Sequence, residues 1–127
     1  MTEPDKTPKA PKAPAGLRVA GRRLWTAITE EYQLDEHEVT LAVQVVRTVD
    51  LCDELEGIVR RDGPLIDTPQ GQRAHPAAVE LRQQRITLAR LLAALRMPAG
   101  EEDDQPTGRR PQRRTGARGT YQMRNAA

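Results

Sequence analysis

Apolar side chains recur along the middle of the chain at the three-and-four spacing of an α-helix, and the breaks in that pattern divide it into three helices. Leu24, Trp25, Ile28 and Tyr32 share one face of a short first helix within residues 21–32. Asp35, with Glu38 three residues later, has the form of a capping box, and Leu34 stands before it as a hydrophobic staple, so a second helix starts there. That helix runs to Asp62, because Gly57 is the one poor helix former on the way and Gly63-Pro64 supplies the stop. Leu41, Val45, Thr48, Cys52, Leu55 and Val59 form its main stripe, which Val39, Val43, Val46 and Val49 widen beyond a two-helix seam. Residues 63–75 hold Pro64, Pro69, Gly71 and the apolar pair Leu65-Ile66, and read as a loop or small β-hairpin. Pro76 suits the first turn of a third helix that ends before Pro98, with Leu81, Leu88, Leu92 and Leu95 on one face and Ile86, Leu91 and Ala93 extending it. The expected fold is all-α, a short first helix laid across a long antiparallel helical hairpin.

Both ends lack this pattern. Residues 1–15 set Pro4, Pro8, Pro11 and Pro14 among lysines and predict a flexible, extended arm. Residues 99–127 form a tail, acidic and then arginine-rich, too polar and too rich in Gly and Pro to fold alone. The helical domain between them, residues 16–98, is near the size at which one core is only marginally stable, a shortage that self-association relieves. The net charge of +2 hides an uneven distribution. Residues 20–100 carry ten Arg against twelve acids, Glu101 to Asp104 are four consecutive acids, and residues 105–127 carry six Arg and no acid. The basic excess therefore belongs to the ends, and the folded part is slightly acidic.

Catalytic patterns are missing. His37, His75 and Cys52 stand at no metal-ligand spacing, so neither a metal site nor a Cys-His nucleophile is expected. Asp50, Asp53, Glu54 and Glu56 read as the solvated face of a helix, except that Asp50 lies among Val46, Val49 and Cys52 and calls for an Arg partner or a subunit interface. No glycine loop of the phosphate-cradling type occurs. The reading is a non-enzyme with no cofactor. A lone cysteine, no apolar run long enough to span a bilayer and no signal-peptide pattern together predict a cytoplasmic protein that is neither secreted nor membrane-bound.

Nucleic acid is the partner that the tail suits. Arg109, Arg110, Arg113, Arg114, Arg118 and Arg124 offer six cations; engaged on duplex phosphates they give a log–log salt slope on the order of −5, at about −0.9 per contact. The neighbouring acidic block is placed to mask them. Arg22 and Arg23 are a second basic pair, and aromatics at 2% of the chain offer no platform for stacking bases. Val39, Val43, Val46 and Asp50 are the candidate oligomer interface, since the second helix carries more apolar surface than a three-helix monomer uses.

These residues also resemble a known pattern. Gly21-Arg22-Arg23-Leu24-Trp25, then Tyr32 and Leu34, Glu38, Leu41, Asp50 with Leu55, Gly63, Gly71, His75-Pro76 and Arg90-Leu91-Leu92 to Pro98 resemble the small terminase subunit of tailed bacteriophages. The resemblance covers residues 16–98 and rests on order and spacing, with Leu95-Arg96-Met97-Pro98 departing from the family by lacking a glycine. It implies a ring-forming, non-enzymatic subunit in the host bacterium's cytoplasm. Such a subunit recognises double-stranded viral DNA and recruits and regulates the large terminase subunit, which holds the ATPase and nuclease. The rival readings are a small dimeric DNA-binding transcriptional regulator, in which the first helix, Gln33-Leu34 and the start of the second imitate a helix-turn-helix, and a structural virion or adaptor protein.

Overall fold

The computed structural model describes residues 9–95 and 111–113. In chain order they form α1 (Val19–Glu31), β1 (Tyr32–Gln33), α2 (Glu36–Asp62), β2 (Leu65–Thr68), β3 (Gly71–Ala74), α3 (Pro76–Leu95) and β4 (Gln112–Arg113). The expected short first helix, long antiparallel pair and small hairpin between its arms are all present. Residues 9–15 carry no helix or strand, and Trp25 Nε1 donates to the Pro11 carbonyl at 3.3 Å, so this part of the proline arm is tied to α1. A buried indole N–H needs such an acceptor.

Each junction has a local cause. Asp35 and Glu38 form the capping box at the start of α2, with Asp35 N donating to Glu38 Oε1 at 2.8 Å. At its other end Gly63 takes φ of +84°, a region that favours glycine, and its N–H closes on the Val59 carbonyl at 2.7 Å. Strands β2 and β3 pair antiparallel from Leu65↔Ala74 to Thr68↔Gly71. His75 then starts α3: its Nδ1 accepts the Ala77 N–H at 2.9 Å, its Nε2 meets Asp62 Oδ2 at 3.0 Å, and its own N–H reaches the Pro64 carbonyl at 2.7 Å. One ring thereby joins the end of α2 to the beginning of α3.

The core gathers at one end of the hairpin. Leu17, Trp25, Ile28, Ala42, Val45, Val46 and Leu95 are buried together, with Leu24, Leu34, Val39, Leu41, Val43, Leu88 and Leu91 packed against them. The 27 residues of α2 span about 40 Å and the 13 of α1 about 20 Å, so α1 covers only half of its neighbour. No residue of α2 beyond Asp50 is buried. Leu92 and Ile86, expected on the packed face of α3, are 37% and 43% exposed. The buried sector of α3 holds Ala77, Leu81, Leu88, Leu91 and Leu95, and a turn of about 100° per residue carries Leu92 onto the flank shared with Arg85 and Ala89.

Asp50 is paired differently from the expectation. Arg18, the residue before α1, offers no side-chain cap; the Asp50 carboxylate instead accepts the Arg18 N–H at 2.7 Å and the Gly21 N–H at 2.6 Å. Two backbone donors replace the arginine, and a negative charge sits at the positive end of α1. The approach needs glycine, because a β-carbon on Gly21 would lie 2.7 Å from Asp50 Cγ. Gly21→Ala is expected to cost about 1–3 kcal/mol by overpacking, and Asp50→Ala about 2–3 kcal/mol by stranding two donors. Urea midpoints at unchanged m-value measure both, and a midpoint within error of the parent in either variant contradicts the assignment.

The Arg61 and His75 hydrogen bonds hold the Asp62 carboxyl down to about 2, so its contribution is present above its ordinary value and is lost as pH falls toward 2. In Asp62→Asn the fall in melting temperature between pH 5 and pH 2.5 is expected to shrink relative to the parent. Equal falls in both proteins count against a stabilising role.

Candidate nucleic-acid interface

The outer face of α1 changes sign along its length. Arg22 and Arg23 stand exposed in its first turns and Glu30 and Glu31 close it. Arg22 Nη2 donates to the Leu17 carbonyl at 3.2 Å, which steadies the side chain while leaving its other donors outward. Val19, Arg22, Arg23, Thr26, Ala27 and Glu30 line a shallow open groove there. Of the tail arginines, Arg113 lies in β4, and Arg109, Arg110, Arg114, Arg118 and Arg124 lie outside the described residues, as does the acidic block. Strand β4 pairs antiparallel with β1, Tyr32↔Arg113 and Gln33↔Gln112, and Pro111 before it is buried. Part of the tail thus finds a strand partner on the helical body, which no local pattern in the tail predicts.

The proposed interface residues divide differently. Val46 is fully buried, Asp50 is 7% exposed and committed to α1, and Val39 and Val43 pack against the same core. Val46 and Asp50 are taken up by this chain's own fold, while Val39 and Val43 stay half-buried. The apolar surface left over lies farther along the hairpin, where Val59, Ala78, Leu81, Arg82, Arg85, Ile86 and Ala89 line a second open groove between α2 and α3. Sequence reading missed that surface. Ile86 was its signal, lying out of phase with Leu81, Leu88 and Leu95.

Arginines of the body are partly occupied by acids: Arg60 and Arg85 approach Glu56 Oε1 at 3.1 and 3.7 Å, Arg61 meets Asp62 at 2.8 Å, and Arg18 meets Glu54 at 3.6 Å. Exposed pairs of this kind contribute little to stability, but they reduce the free positive charge. The first turn of α2 is acidic through Glu36 and Glu38, so a helix-turn-helix reading would present carboxylates to the bases and phosphates.

Two further clusters bear on chemistry. Asp35, His37 and Glu38 bring one ligand atom each within 4.8 Å of one another. Both carboxylates are engaged in the capping box, which accounts for their proximity. Cys52 is half-buried, and desolvation pushes its thiol up, the opposite of an activated nucleophile. No helix among the described residues is long and apolar enough to cross a membrane.

Arg22 and Arg23 are accessible enough to test directly. Replacing both with Gln is expected to reduce the steepness of the duplex-binding salt slope by about 1–2, one phosphate contact per lost cation. Fluorescence anisotropy from about 50 to 200 mM salt reads this, and an unchanged slope removes the pair from the interface. No family model, curated protein or solved structure matches this chain.

Proposed function

We propose that the chain is a DNA-recognising, self-associating subunit of a genome-packaging machine, of the small-terminase type, that recruits and regulates a large ATPase and nuclease subunit. The observation that carries this reading is where the resembling residues sit. Gly21 admits Asp50, Trp25 and Tyr32 are buried, and Glu38 closes the capping box. Gly63 and Gly71 hold φ of +84° and +112°, and His75 opens α3 before Pro76. A pattern whose members each hold a joint of one fold is a structural frame, which supports kinship with a family defined by their order.

Self-association follows from the half-covered hairpin. Among the described residues the pair α2 and α3 has no third layer beyond Asp50, and Leu51, Val79 and Ile86 along that length are between 38% and 43% exposed. Further copies packed along that length would supply the layer. Viral duplex is the proposed nucleic acid, held first by phosphate contacts from Arg22, Arg23 and the tail; such contacts position the protein without specifying sequence.

Light scattering on the full chain is expected to give a multiple of the 14.2 kDa chain mass. Ile86→Glu is expected to shift it toward monomer with helical content unchanged. A stable parent monomer that neither binds viral duplex nor alters the large subunit's ATPase rate would sink the reading.

A further inference from the structure

Strand β1 is two residues long, wedged between α1 and α2, and β4 of the same chain lies along its edge. We propose that this edge is a docking site for the chain's own residues 111–113, at the centre of its arginine-rich run, and that docking there withholds the run from nucleic acid. The second half of the proposal rests on the nucleic-acid reading above; the first half does not.

Three observations carry it. The backbone of Gln112 and Arg113 pairs with that of Gln33 and Tyr32, so the register is explicit. Pairing at a strand edge satisfies N–H and C=O groups of both segments, and this recognition takes any side chain. Pro111 is buried beside the pair and has no N–H to continue a ladder, which confines the docked strand to the residues on its C-terminal side.

Charge supplies the third observation. Residues 30–38 around β1 contain Glu30, Glu31, Asp35, Glu36 and Glu38 with no Lys or Arg, while residues 109–114 contain four Arg and no acid. The edge is thus an anionic cradle and its occupant a cationic strand. Phosphates compete for the same guanidinium groups, and the five carboxylates repel a duplex that approaches the docked segment. Nucleic acid must therefore take the segment from β1 before using its full charge, and docked and released tails form a two-state equilibrium that duplex shifts.

The consequence is measurable in affinity and in its salt dependence. A segment docked in about 70–90% of molecules weakens apparent duplex affinity about 3- to 10-fold, because only the released fraction competes. Salt weakens docking as well as duplex binding, so the parent's slope is shallower than that of a variant whose tail is always released. Gln112→Pro extends the proline break of Pro111 into the two-residue strand without altering charge. The triple change Glu30→Gln, Glu31→Gln, Glu36→Gln instead discharges the cradle and leaves the tail intact.

Amide exchange on the full chain, free and with a random-sequence duplex, tests docking; anisotropy with the same duplex tests withholding. Slowed exchange at residues 112–113 that duplex abolishes is expected, with a 3- to 10-fold gain in affinity and a steeper slope in both variants. Unprotected amides at 112–113 in the free protein overturn the docking. Protected amides with unchanged affinity in both variants overturn the withholding. If removal of residues 105–127 leaves duplex affinity untouched, the nucleic-acid reading of the tail fails while the docking stands on the exchange data alone.

Discussion

The fold depends on a carboxylate in the middle of one helix meeting the beginning of another. Asp50 accepts N–H groups from Arg18 and Gly21, so α1 is held at its N-terminal end by α2 rather than by a cap of its own. That contact sets where α1 lies, and its position decides the rest. Trp25 and Ile28 are carried into the core, the bend at β1 returns the chain to α2, and the proline arm is drawn against the indole. A buried carboxylate without such donors would be costly, and helix-terminal amides without an acceptor would be too; each removes the other's penalty.

This arrangement concentrates order at one end of the molecule. There α1, the first half of α2 and the end of α3 enclose a small aliphatic core around one tryptophan. At the other end, among the described residues, the two long helices have only each other and the β2–β3 turn. The half-covered hairpin follows from lengths alone, since a helix of 13 residues cannot cover one of 27.

Much of this was legible in the sequence because it is local. The capping box at Asp35 and Glu38, the stop at Gly63-Pro64, the small hairpin and the His-Pro start of α3 each lie within a few residues, and all are present in the structure. The partner of Asp50 was not legible, because backbone N–H groups exist at every position and leave no mark in the residue pattern. Gly21 was the trace, a buried glycine in an otherwise helical run. The pairing of β4 with β1 joins residues about 80 apart through a two-residue strand, below what alternation can signal. Leu92 was assigned to the core because its spacing from Leu88 and Leu95 is helical; how wide a sector α2 covers is a property of the packed pair.

His75 gives the tip of the molecule an independence that its small size conceals. Its ring takes the Ala77 N–H on one nitrogen and faces Asp62 with the other, while its backbone closes on Pro64. The feet of the β2–β3 turn are therefore clamped below the strands. Residues beyond the clamp set neither the offset between α2 and α3 nor their spacing. Turns of different length can be grafted between Leu65 and Ala74 while the helices keep step, provided that a glycine keeps the positive-φ position that Gly71 holds.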